Sequence, residues 1–208
     1  LLSLPNSRLD AMVGKFLGRS AVVVAALLVG FLFVFVVLIA TGTRLQLGSF
    51  VPQVALTALL GMAFVSIGLG ISALAGSNRE ATLATMGLYL VFAVLWGSVS
   101  EGIPKLINYT ADQVGVGGVS ELTRVKLGVF LKYLNPLKAY ETLAAELYYG
   151  PARARLVSAT FGEQTALGPV LQESVPVYFS GGFLFVVLLA WIALPVAVGY
   201  WAFDRDDL

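Results

Sequence analysis

Long uncharged stretches alternate with short polar ones along the chain. Arg19 and Arg44 bracket 24 residues without Asp, Glu, Lys or Arg, and Arg44 and Arg79 bracket 34. Residues 81–100 add 20 more, and residues 174–203 another 30. About 20 apolar residues in a helix cross a hydrocarbon core of roughly 30 Å, so each stretch is long enough for one crossing. The pattern predicts transmembrane helices over 20–42, 52–76, 81–100 and 179–202. Residues 20–41 hold 15 Leu, Ile, Phe or Val side chains. At roughly 0.3–0.6 kcal/mol each, they favour insertion by about 4.5 to 9 kcal/mol. Residues 81–100 hold eight such side chains and gain roughly half as much, with no central charge to cost its about 2.5–3.5 kcal/mol. The first stretch far exceeds the ~7–15 residues of a signal-peptide core, so it is read as a span.

Residues 101–177 break the pattern. They carry seven basic and seven acidic residues, too polar for a span, yet they retain helical periodicity. Leu122, Val125, Val129, Phe130, Tyr133 and Leu134 recur at three- and four-residue intervals on one face, while Glu121, Arg124 and Lys132 fall elsewhere. Asn135-Pro136 reads as an N-cap followed by a first-turn proline. These signals predict helices near 120–134 and 136–149, the second ending at Gly150 with Pro151 preventing its continuation. Both are amphipathic: they can lie in the membrane interface, or pack on each other as a small subdomain. Residues 115–118 (Gly-Val-Gly-Gly) form a joint before them, and Asn108-Tyr109-Thr110 has the form of a glycosylation sequon.

Charge orients the spans. Arg8, Lys15 and Arg19 precede the first, against a single Asp10, which puts the N-terminus in the cytoplasm. Four spans return the C-terminus to the same side and place residues 101–177 outside. Arg79, in the turn at 77–80, obeys the positive-inside rule; Arg44 runs against it. Within the second span Gly68, Ser72 and Gly76 repeat at four-residue spacing, with Ser66 and Gly70 alongside, a ladder suited to close helix packing in lipid. Pro195 interrupts the fourth span and predicts a kink.

Composition narrows the chemistry. Hydrophobic residues make up 58% of the 208, charged residues only 12%, and the net charge is +1, against about 25% charged in a soluble domain. That balance offers no electrostatic case for nucleic acid. The chain holds neither Cys nor His, which removes the thiol nucleophile, the cysteine metal site and the commonest general base. It has no G-x-x-x-x-G-K-[ST] phosphate loop, and the four predicted spans contain no titratable group of the kind that ion-coupled carriers use. If the chain moves a solute uphill, the expectation is that the energy enters from another subunit, the alternative being an ion site built only from backbone carbonyls. No cofactor, metal site or catalytic residue is expected, and the chain is not read as an enzyme.

The first 19 residues carry a resemblance. Leu1-Leu2-Ser3-Leu4-Pro5-Asn6-Ser7-Arg8, followed by Gly14-Lys15-Phe16-Leu17-Gly18-Arg19, resembles the cytoplasmic segment of the ABC type-2 export permeases, and within them the branch that includes the permease for nitrous-oxide-reductase maturation. The turn at 78–80, the Leu134-Asn135-Pro136…Tyr140 element and the tail Phe203-Asp204-Arg205-Asp206-Asp207-Leu208 fit that branch, although Asp206 stands where the family tail has a basic residue. The family has six spans, so the resemblance implies a fragment lacking the first two. It also implies paired permease subunits, as a homodimer or another pairing, each with an ABC ATPase subunit docked beneath it. Leu1, Leu2, Leu4, Pro5, Ser7 and Arg8 would form the coupling helix in a groove of that ATPase, with Asn78, Arg79 and Glu80 as secondary contacts. The expectation is an all-α polytopic protein of the cell membrane, both ends cytoplasmic, in contact with lipid and serving as the permease subunit of an ATP-driven exporter. The alternative is a non-transporting scaffold or assembly protein that binds a partner through its external helices.

Overall fold

The computed structural model describes residues 8–43, 46–115, 117, 118, 120–157 and 176–205, with Arg8 and residues 203–205 described by their backbone alone. Every regular element among them is helical. Helices α1 (Arg8–Ala40), α2 (Leu47–Leu74) and α3 (Asn78–Leu90) come first. A π-helical segment, Val91–Leu95, links α3 to α4 (Trp96–Val114). Then follow α5 (Glu121–Tyr133), α6 (Pro136–Tyr149), α7 (Pro151–Val157), a 3-10 turn at Val177–Phe179 and α8 (Gly181–Arg205).

Four helical stretches are long and apolar enough to cross a membrane: Leu9–Ala40, Leu47–Leu74, Asn78–Val114 and Gly181–Ala202. Val22 and Phe33 on α1 are 70% and 71% exposed, and such a surface is stable against hydrocarbon rather than water. The protein is an all-α polytopic membrane protein. Two of its helices outrun the expected spans. The first begins at Arg8 rather than near 20, and the third continues past 100 to Val114, so residues 101–114, read from sequence as loop, are helical. The sequon goes with them: Asn108 lies within α4 and its Nδ2 donates to Asp112 Oδ2 at 3.3 Å.

The chain divides into two compact units. The first comprises residues up to Leu88 together with Leu188–Leu208, and α1 and α2 pack along each other within it. Phe50 meets Phe31 edge-on at 5.9 Å and Phe35 at the same separation. Near the opposite end of this pair, α2 meets α8 through its small residues. Ser66 Oγ donates to the Ile192 carbonyl at 2.6 Å, in the turn where Pro195 lacks the N–H that regular helix geometry requires. At Gly70 a Cβ would stand 2.6 Å from the Pro195 carbonyl oxygen, so only glycine allows the approach. Gly199 is enclosed likewise: a Cβ there would meet Met12 Cε at 2.5 Å and Ala73 Cβ at 3.3 Å.

The second unit comprises Tyr89–Val187. In it α4 packs on α5, α6 on α7, and the π segment on α4 and α6. Its core holds Phe92, Val129, Tyr133, Ala139, Phe179 and Leu184. Gly150, at φ 76° and ψ 168°, ends α6 in a backbone conformation that favours glycine. Pro151 does more than stop α6, because it opens the short helix α7. Lys132, which the periodicity set off the apolar face, is buried at 7% exposure.

Candidate functional site

The residues singled out from sequence fall into three groups. Leu1, Leu2, Leu4, Pro5 and Ser7 lie outside the described residues, as do Asp206, Asp207 and Leu208 of the tail, and Arg8 opens α1. The second group is the turn before α3. There Glu80 N–H donates to Ser77 Oγ at 3.2 Å, and Glu80 Oε2 accepts from the Gly76 N–H at 3.0 Å. This reciprocal arrangement satisfies donors that a helix start leaves open. It commits the Glu80 carboxylate to the turn itself and leaves Asn78 and Arg79 exposed on a stiffened corner. The third group is the small-residue ladder. Ser72 is exposed, and a Cβ on Gly68 would meet nothing within 4 Å. The face that closes on α8 within the chain is instead Ser66 and Gly70, two residues along and so nearly opposite that ladder round the helix.

These contacts converge at one end of the first unit. Met12 in the first turns of α1, Gly70 and Ala73 near the end of α2, and Gly199 near the end of α8 meet within van der Waals distance. The stiffened turn at 77–80 follows directly on α2. The junction is close-packed: a side chain larger than hydrogen at Gly70 or Gly199 has no room.

The second unit has two buried polar connections. Asn135 is fully buried. Its Oδ1 accepts from the Leu137 N–H at 2.8 Å, capping α6, while its Nδ2 donates to the Phe92 carbonyl at 2.8 Å. Phe92 lies in the π segment, where the widened turn breaks the regular i→i−4 bonding and a carbonyl needs an outside donor. Trp96, just beyond, donates from Nε1 to the Leu131 carbonyl at 3.0 Å. One amide thus ties the corner between α5 and α6 to the irregular turn of the third membrane stretch.

Arg155 makes the other connection. At 3% exposure, its Nε and Nη2 donate to the Phe179 carbonyl at 3.0 and 2.6 Å. Its Nη1 meets Glu146 Oε2 at 2.7 Å. The same carboxylate stands 3.1 Å from where a Cβ on Gly181 would be, at the positive end of the α8 dipole. Phe179 and Tyr178 complete an aromatic cluster with Phe130, Tyr133 and Phe183. Burial there raises the Tyr178 phenol above its ordinary 10.0. Among the described residues no group of Asp and Glu is arranged to hold a metal ion.

Comparison with known proteins agrees with this architecture. Residues 1–208 match the family described as ABC-2 family transporter protein. Over 212 residues the chain is 24% identical to the probable ABC transporter permease protein NosY of Pseudomonas aeruginosa, an alignment covering 100% of this chain and 68% of that protein. No solved structure matches the chain.

Proposed function

From the premise that the chain belongs to the ABC-2 transporter family, we propose that it is the membrane-spanning permease subunit of an exporter whose ATP is hydrolysed by a separate subunit. The observation that carries this reading is the junction of Met12, Gly70, Ala73 and Gly199, beside the turn at 77–80. A soluble motor pressing on that end would move α1, α2 and α8 together. The uncharged stretches of 24, 34, 20 and 30 residues support it, because they offer no titratable relay for ion coupling.

In this reading the junction faces the cytoplasm, as Arg8, Lys15, Arg19 and Arg79 favour, and α5 and α6 lie on the outer side of the cell membrane. Leu1, Leu2 and Leu4 anchor a coupling helix in a groove of the ATPase, Pro5 ends that helix, and Ser7 lies next to Arg8, which pairs with an acidic residue there. Asn78 and Arg79 form the second contact, held out by the Ser77 and Glu80 cap. Two permeases pair, each over one ATPase, and closure of the motors opens a path outward for a substrate not yet identified.

The test is purification of the full-length protein from its native membrane in mild detergent. A phosphate-loop ATPase should copurify, and Arg8→Glu should remove it while Arg79→Glu weakens it. Recovery of the intact permease with no ATPase, or with an ATPase unaffected by Arg8→Glu, counts against the coupling assignment. In that outcome the surface of α5 and α6 becomes the place to look for a partner.

A further inference from the structure

Helices α1 and α2 are pinched together at Gly61, where a Cβ would meet Val23 Cγ1 at 3.1 Å and Leu27 Cδ1 at 3.3 Å. Toward the start of α1 they part. Gly14 and Gly18 on one side and Gly68 on the other leave open space: a Cβ at any of the three would meet nothing within 4 Å. The result is an open groove of about 710 Å³. Its apolar wall is Val22, Val23 and Val65, and its polar end is Lys15 and Arg19.

The groove has a definite depth. Arg19 is the last charge before 24 uncharged residues, which at 1.5 Å per residue extend roughly 36 Å, slightly more than the hydrocarbon core. Arg19 and Lys15 therefore stand at headgroup level, and the valines face acyl chains. Lys15 and Arg19 are four residues apart on one helical face, and both are exposed.

We propose that this groove binds one anionic phospholipid of the leaflet in which α1 begins. Its phosphate lies between Lys15 and Arg19, and an acyl chain runs along Val22, Val23 and Val65. Basic pockets between membrane helices select anionic headgroups in this way. A second copy of the chain fits less well, since a two-fold contact would set Lys15 and Arg19 against their own symmetry mates. The proposal requires only that α1 crosses the bilayer, and it stands whether or not an ATPase couples to the protein.

The test uses delipidated full-length protein in detergent, titrated separately with phosphatidylglycerol and phosphatidylcholine, with bound lipid counted by native mass spectrometry. One phosphatidylglycerol should be retained in preference to phosphatidylcholine. Two cations at about fivefold each make Lys15→Gln/Arg19→Gln about 25-fold weaker. Arg19→Lys, which keeps the charge, should stay within a few-fold of wild type, and Arg79→Gln, away from the groove, should change nothing. Gly18→Leu fills the groove without touching either charge and should displace the lipid. The proposal is overturned if the double glutamine variant or Gly18→Leu binds phosphatidylglycerol as tightly as wild type. Equal retention of the two lipids, or a second copy of the protein in place of lipid, overturns it as well.

Discussion

Asn135 shows how much one side chain can hold. Its oxygen caps α6 and its nitrogen answers the Phe92 carbonyl. Asn135→Ala should lower stability by about 2–4 kcal/mol, roughly 1 for the cap and ~1–3 for the stranded carbonyl. Asn135→Asp keeps the cap but has no donor for Phe92, so its thermal midpoint in detergent should fall as well. A midpoint equal to wild type for Asn135→Asp would mean that the bond to Phe92 contributes nothing. The cap was legible in sequence from Asn-Pro before an apolar face; the bond to a carbonyl 43 residues away was not. Arg155 was less legible still. In sequence it is one of seven basic residues in a polar region, and no local pattern marks a guanidinium that will be buried against a carbonyl 24 residues on. Arg155→Met should cost about 3–5 kcal/mol by leaving Glu146 partly buried without its partner. Adding Glu146→Gln to it should restore part of that loss, as a double-mutant cycle on thermal midpoints would read out.

Hydropathy located the membrane stretches but not the ends of the helices, because it records where lipid stops rather than where backbone hydrogen bonding stops. Thus α1 starts at Arg8 and the third stretch continues to Val114, where Glu101 and Lys105 pair along a solvated face at 3.4 Å. Pro195 was visible in sequence as a proline inside an apolar span, and so was the small-residue character of α2. Which of its small residues face α8 was not, since alternate faces of a helix that is apolar all round look alike. The structure distinguishes them. Gly70→Ala should destabilise the protein, because its methyl would overlap the Pro195 carbonyl, by about 1–3 kcal/mol as for other overpacked sites. Gly68→Ala should stay within about 0.5 kcal/mol. Equal midpoints for the two would show that α2 and α8 do not meet at Gly70. The π segment had no sequence signature: Val91–Leu95 reads as ordinary apolar helix, and the Asn135 donor to its Phe92 carbonyl comes from far along the chain.

At the scale of the molecule, the spacing of charges was sufficient for the number of crossings and for the all-helical class. It carried no information on the division into two units, which depends on contacts between residues far apart in the chain. The π segment also has a bearing on inheritance. A π turn holds one residue more than the α turn it replaces, and each residue of an α-helix advances the face by about 100°. Deletion of a single codon between 91 and 95 should therefore leave the reading frame, the hydropathy and the helix intact. It should nevertheless swing Trp96 away from the Leu131 carbonyl and turn the whole of α4 by about a quarter of a revolution. A gene-length polymorphism of one triplet, silent to any measure of composition, would present a different surface to whatever α4 touches.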